Sequence, residues 1–323
     1  MPPQVQSAVL VTGGGGFIGA NLCRTLLDRG APEVTVLDDF STGFRSNLDG
    51  LDVRLVEGSI LDRDLLAATI PPGGAIVHLA ARPSVPRSVI DPVTSHELNA
   101  TGTLYVLEAA RAAGASQVIV ASSSSVYGDN DAPVKHEELP ASPRSPYAVS
   151  KLATESYALS YQRTYGLPTL AFRFFNVYGP LQAAGHAYAA VIPAFIDAAL
   201  SNRPLIVHGD GQQSRDFTFV DSVTDVISRA IAQQTVFDGP VNLAFGSSAS
   251  LLEIIALLEV EFGRPLEREF IEPRSGDVLR SRASSDRLHS LVPDASATEI
   301  ATGIARTVAW LRSESIGAGD SPD

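Results

Sequence analysis

The sequence predicts an α/β protein: a doubly wound parallel sheet with a smaller, interleaved C-terminal lobe. Three observations lead there. Up to about residue 175, short apolar runs alternate with longer segments of helical pattern. Strands covered on both faces have that continuously apolar character, and the alternation builds parallel sheets with right-handed crossovers. The first run opens directly into a glycine cluster, "TGGGGFIG". After residue 176 the alternation weakens, yet one late run, "VNLAFG", has the composition of a strand rejoining the main sheet.

In chain order, the expected strands are 8–13, 34–39, 53–58, 75–81, 117–123 and 169–175. Helices are expected over 17–29, 62–70, 93–113 and 146–165. Segment 93–113 mixes buried and exposed positions, among them Leu98, Gly102, Leu104, Tyr105, Leu107 and Glu108. The helix from 146 has Ser145 as its cap and Pro146 at its first position. Three more helices fall near 188–201, 221–233 and 251–262, separated by turns such as "HGDGQQ" and "GPVNLAFGSS". The expected division is therefore a sheet domain of 1–175 plus roughly 217–245, and a lobe of roughly 176–216 and 246–312. Residues 313–323 end the chain as a mobile tail.

Composition sets outer bounds. With 323 residues, 45% hydrophobic and 19% charged, the chain is that of a soluble globular protein with a large core. A net charge of -12 argues against non-specific binding to nucleic acid or to an anionic membrane surface. A small anionic ligand stays compatible with it, because a few placed arginines outweigh the average. The single cysteine, Cys23, allows no internal disulfide and sits where packing is its expected role. No run approaches the roughly 20 apolar residues that cross a bilayer, and the N-terminus lacks a signal-peptide pattern, so a cytoplasmic location is expected. No metal site is expected.

Gly13, Gly16 and Gly19 stand in a G-x-x-G-x-x-G spacing between the first strand and the first helix. Glycine there permits a tight turn, close approach of backbone to a pyrophosphate, and close helix–strand contact, while the helix N-terminus offers N–H groups to the anion. The second strand ends in Asp38-Asp39, about 20 residues on, where a carboxylate accepts from the adenosine ribose hydroxyls. Two carboxylates would repel a 2′-phosphate, so NAD is favoured over NADP, with nearby Arg45 pulling the other way. The fifth strand ends in "ASSSSVYG", at the carboxyl edge where such sheets bind ligands. Downstream, Tyr147 and Lys151 share one helix face at i, i+4. On spacing alone that pair is either an acid/base device or the first turn of an ordinary amphipathic helix.

Taken together, "TGGGGFIG", "HLAA", "ASSSSVYG", "SPYAVSK", "RFFNVYGP" and "SRDFTFV" appear in one order over nearly the whole chain. In these the sequence resembles the extended short-chain dehydrogenase/reductase superfamily, in its nucleotide-sugar epimerase and dehydratase branch. The resemblance implies a Rossmann sheet, bound NAD, and an assembly of two chains through helices 93–113 and 146–165. It makes Tyr147 the acid/base, held as phenolate by the Lys151 ammonium and the oxidised nicotinamide. Lys151 would also bind the nicotinamide ribose, and Ser123 would hydrogen-bond the reacting hydroxyl. Ser124 and Ser125 would form pocket wall. Phe17, Ile18 and Thr42 would accompany the glycines and Asp38-Asp39 around the adenosine and pyrophosphate. Leu79, Ala80, Ala81, Ala121 and Phe174 would line the rest of the cofactor. Asn99 would join the cofactor site while supporting the active-site helix. At the adenine, Ser59 and Ile60 stand where many relatives have Asp-Ile, which weakens that contact.

For substrate, the resemblance implies a UDP-sugar. Asn176, Arg215 and Arg274 would hold its diphosphate, and Asp277 its ribose; arginine suits phosphate through its rigid fork of donors. Ala190, Val191 and Val207 would frame the base, with Ser84 and Val85 near the sugar. Ser281 would open room at the sugar's C2, as in epimerases that accept UDP-N-acetylhexosamines. Related dehydratases carry acidic residues, and decarboxylases a glutamate, where this chain has Ser124 and Ser125. The expected activity is accordingly NAD-dependent C4 epimerisation of a UDP-sugar through a 4-keto intermediate, with UDP-GlcNAc/UDP-GalNAc or UDP-Glc/UDP-Gal as substrates. The alternatives are a UDP-glucuronate 4-epimerase, a dehydratase or decarboxylase, or a non-catalytic NAD-binding sensor. The glucuronate enzymes carry an arginine after "NVYGP", where this chain offers only His186.

Overall fold

The computed structural model describes residues 2–184, 189–273 and 280–317. Its centre is a seven-stranded, all-parallel sheet built from β1 (Val9–Thr12), β2 (Val34–Asp38), β3 (Arg54–Glu57), β4 (Ala75–His78), β5 (Gln117–Ser123), β6 (Thr169–Phe174) and the late strand Pro240–Leu243. The spatial order is Pro240–Leu243, β6, β5, β4, β1, β2, β3. Direction of travel reverses between β1 and β4, so the crevice above their carboxyl ends is where such a sheet binds ligands. β1, β2 and β4 are buried throughout, as their apolar runs require, whereas edge strand β3 is largely exposed.

Helices cover both faces. On one face α1 (Phe17–Asp28) packs with helix Val220–Ala232, and Leu22, Leu26, Val223 and Ile227 fill the layer beneath them. On the other lie α2 (Arg63–Thr69), α5 (Gly102–Ala112) and α6 (Pro146–Tyr165), over Leu10, Ile76, Val118 and Val120. Burial of the Cys23 thiol in α1 pushes it up to about 12, so this cysteine is packing material. The second lobe has its own core, where helices Val191–Leu200, Leu251–Phe262 and Ile300–Gly317 enclose strand Leu205–His208.

Four differences from the sequence expectations have physical reasons. Segment 93–113 is not one regular helix: α4 (Pro92–His96) passes through a π-helical turn, Glu97–Thr101, into α5. A short helix, α3 (Val85–Ile90), precedes it, capped by Ser84 with Pro86 in the first turn, where proline costs no hydrogen bond. Helix Ile300–Gly317 runs into the segment expected as tail, while 318–323 lie outside the described residues. The lobe also contains strands of two to four residues, too short to display a period. No helix among the described residues is long and apolar enough to cross a membrane.

Candidate active site

A cavity of about 710 Å³ follows the carboxyl edge of the sheet. At one end the glycine turn leaves room for backbone alone. Gly13 has φ +75, and a Cβ on it would lie 2.6 Å from the Ala80 nitrogen; one on Gly19 would lie 2.2 Å from the Gly13 carbonyl oxygen. The N-terminus of α1 therefore faces the cavity with no acidic residue in its first turn, and Gly16, Phe17, Ile18 and Gly19 line it. That is the setting for an anion at a helix N-terminus.

Asp38 closes β2 and is buried. It accepts from the Gly15 and Phe40 N–H groups at 2.8 Å each, which ties the glycine turn to the strand end. Burial raises its pKa, opposed by those two donors. Asp39 and Thr42 complete this end of the wall, with Ile60 opposite. Arg45 pairs with Glu57 and stacks over the Phe40 ring, so the one cation expected to favour a 2′-phosphate is engaged elsewhere. Ser59 is a correction: it does not line the cavity, and its hydroxyl accepts from the Leu61 N–H of its own turn.

Towards β4 the wall is Leu79, Ala80 and Ala81. Beneath them His78 is buried between the hydroxyls of Thr12 (2.7 Å) and Thr103 (3.0 Å). Burial, with the nearby Lys151 charge, lowers its pKa to about 3, so this imidazole is neutral. Asn99 is corrected as a cofactor-lining residue only, since it does hold α6, the expected active-site helix. It lies in the π-helical turn, off the cavity wall. Its amide oxygen accepts from Arg82 N–H at 2.7 Å, and its nitrogen donates to Ser150 Oγ at 2.9 Å. Asn99 thus latches the loop after β4 to α6.

The chemistry-bearing side chains meet at the far end. Ser145 caps α6 by accepting from Ala148 N–H, and Pro146 sits at its first position. Tyr147 and Lys151 then face the cavity together with Ala121, Ser123, Ser124 and Phe174. The Tyr147 N–H donates to Ser88 Oγ at 3.0 Å, so α3 seats the start of α6; no sequence signal marks Ser88 for this. The buried Lys151 ammonium donates to the Ala121 carbonyl at 2.9 Å and lies 6.0 Å from the Tyr147 ring centre. Burial lowers Lys151 to about 8. Burial also raises the Tyr147 phenol, against a hydrogen bond from Ser123 that favours the phenolate. Without NAD, desolvation outweighs that hydrogen bond at Tyr147; the expected phenolate also calls on the oxidised nicotinamide. Ser125 is corrected too: it is off the wall, with its hydroxyl turned to Ser123.

The Lys151 shift has a measurable consequence. Between pH 8 and 10.5 the unfolded lysine holds a proton that the folded one has released. The unfolded state then binds more protons, so stability rises with pH across that window. Relative to Lys151→Met, the wild type without NAD is expected to gain about 3 kcal/mol there, from 1.36 kcal/mol per pKa unit. Urea unfolding at stepped pH measures the difference, and parallel profiles would refute it.

A second cavity, of about 540 Å³, opens into the smaller lobe. Asn176, held at φ +28 with its amide donating to the Asp216 carbonyl, lines both cavities. Ala190 and Val191 sit at the N-terminus of helix Val191–Leu200, one on each wall. Arg215 joins Gln213, His208, Ile206 and Phe217 around the second cavity. Val207 is a correction: strand side chains alternate, and Val207 points into the lobe's core while its neighbours face the cavity. Ser281 pairs with Arg215 in adjacent strands but is off the wall, and Val85 is exposed away from it. Ser84 does line the first cavity. Arg274, Asp277 and His186 lie outside the described residues.

A glycine turn, a strand-end carboxylate and a Ser–Tyr–Lys cluster on one sheet edge define a Rossmann-type, dinucleotide-dependent enzyme. The family model described as the NAD dependent epimerase/dehydratase family matches residues 9–244. The chain belongs to that family, and NAD is its cofactor. It is 39% identical over 319 residues to a UDP-glucose 4-epimerase of Mycolicibacterium smegmatis, covering 95% of this chain and 99% of that one. Among solved structures it is similar to a UDP-N-acetylglucosamine 4-epimerase from Methanobrevibacter ruminantium, at 31% identity and TM-score 0.90 over 97% of this chain and 100% of that one. It is also similar to the dTDP-glucose 4,6-dehydratase DesIV of Streptomyces venezuelae, solved with NAD bound, at 33% identity and TM-score 0.87 over 95% and 97%.

Proposed function

We propose that the protein is a UDP-sugar 4-epimerase, with Tyr147 as its acid/base. The observation that carries this is a missing group. Among the described residues lining the first cavity, the carboxylates are Asp38 and Asp39 alone. They stand at the end of β2, three strand spacings from β5 and hence about 14 Å away across the sheet. Eliminating water from a 4-keto sugar needs a further base for the C5 proton and an acid for the departing hydroxyl; beside Tyr147 the wall offers Ser123 and Ser124. Epimerisation needs one proton carrier, and Tyr147 supplies it.

The glycine turn, Asp38 and Lys151 would hold NAD, which would supply reversible two-electron oxidation at the sugar's C4. Tyr147 takes the O4 proton and later returns it, and the Ser123 hydroxyl donates to the same oxygen. Lys151 places a positive charge beside the phenolate as it forms. Arg215, Asn176 and the N-terminus of helix Val191–Leu200 grip the diphosphate, so the 4-keto sugar turns over within the cavity while its nucleotide stays in place. UDP-hexoses and their N-acetylated forms fit this reading, as the named epimerase relatives suggest.

Incubation with UDP-Glc, UDP-GlcNAc and UDP-GlcA, followed by product separation, tests it. Interconversion of 4-epimers at constant mass is expected, and loss of water or carbon dioxide would refute it. The working unit in this reading is a dimer. Val89 (65% exposed), Ile90 (73%) and Val93 (65%) on α3 and α4, with Val149 on α6, leave apolar surface that a second copy would cover. Light scattering should return twice the 34.0 kDa of one chain.

A further inference from the structure

The four serines spanning the end of β5 and the start of the next 3₁₀ turn do three different things. Ser122 Oγ turns back to Glu155 at 2.9 Å. Ser123 and Ser124 line the cavity. Ser125 leans on Ser123: its hydroxyl donates to Ser123 Oγ at 2.9 Å and its backbone N–H at 3.2 Å. We propose that Ser125 is a positioning residue that fixes the Ser123 hydroxyl as a hydrogen-bond donor into the active site.

A serine oxygen has two lone pairs and one proton. With both lone pairs accepting from Ser125, the Ser123 proton has to point away from it, into the cavity that Ser123 shares with Tyr147. A serine free to rotate would as readily accept from the phenol, which favours the protonated tyrosine; one fixed as donor favours the phenolate. The backbone produces this arrangement. Ser123 is extended, and the 3₁₀ turn Ser124–Tyr127 brings residue i+2 back over its hydroxyl. Gly128, at φ +58, keeps the turn tight, since a Cβ there would sit 1.8 Å from the Ser142 carbonyl oxygen. The inference rests on Tyr147 as the acid/base, and its test separates the two.

The NAD-loaded wild type, Ser125→Ala and Ser125→Thr are each titrated by near-ultraviolet tyrosinate absorbance, against the same protein carrying Tyr147→Phe. That difference isolates Tyr147 and needs no substrate. Losing one neutral hydrogen bond should raise the Tyr147 pKa in Ser125→Ala by about 0.4–1 unit, and Ser125→Thr should match the wild type. In the epimerase assay Ser125→Ala should lower kcat about 2- to 12-fold at unchanged KM. An unmoved Tyr147 titration in Ser125→Ala, or a threonine variant as impaired as the alanine one, would overturn the proposal. A wild type that turns over no UDP-sugar removes the epimerase reading, and the titration still decides this one.

Discussion

Tyr147→Phe is expected to lower turnover by about 10²- to 10⁴-fold, the usual contribution of a positioned acid/base, while NAD and UDP-sugar still bind. The substitution keeps the ring and removes only the hydroxyl. The backbone N–H of residue 147 stays on Ser88, so the start of α6 is held as before. What disappears is the hydroxyl proposed to carry the O4 proton, which stands between a donor, Ser123, and a cation, Lys151. Burial moves those two titrating groups in opposite directions, the phenol up and the ammonium down to about 8. In the proposed reading, the positive charge of bound oxidised NAD would favour the pair of phenolate and ammonium. Calorimetric binding beside single-turnover rates separates the effects; normal turnover in the variant would refute the role given to Tyr147.

Much of this arrangement was legible in the sequence because burial leaves a residue-level mark. Strands covered on both faces must be apolar throughout, which exposes β1, β2, β4 and β5, and the same composition identifies Pro240–Leu243 sixty-six residues after β6 ends. The shared helix face of Tyr147 and Lys151 follows from spacing behind a Ser-Pro start, while their chemistry comes from the resemblance alone. Other features depend on quantities no local pattern carries. Strand Leu205–His208 is too short to show which alternate side chain faces in, hence the exchange of Val207 for Ile206 and His208. Asn99 belongs to the same neighbourhood as the cofactor, yet its amide is aimed at Arg82 and Ser150 by a π-helical turn that the sequence does not announce. Four consecutive serines look alike in sequence; the turn after β5 gives them different directions.

The largest stability effects are expected at Arg173 and Glu155, beneath the site. Their side chains are 4% and 5% exposed and joined by two parallel bonds, 2.9 Å from Nε and 2.7 Å from the terminal nitrogen. Ser122 adds a third donor to the carboxylate, and the guanidinium stacks 4.6 Å from the centre of the Tyr127 ring. The Tyr127 hydroxyl in turn donates to Asn242 on the sheet's edge strand Pro240–Leu243, so the pair binds α6 to three neighbouring strands. Removing one partner leaves the other charge buried without its counter-ion. Arg173→Met or Glu155→Leu should each cost about 3–5 kcal/mol, or about 4–7 °C in Tm for a chain of 323 residues. Glu155→Leu with Arg173→Met removes both charges together, and should lose far less than the sum of the single variants, because the desolvation cost goes with the attraction. A double-mutant cycle by thermal and urea unfolding measures the coupling. Additive losses would show that the pair acts as two separate packing residues, and the strand ends carrying Ser123 would then owe their alignment to the apolar layers alone.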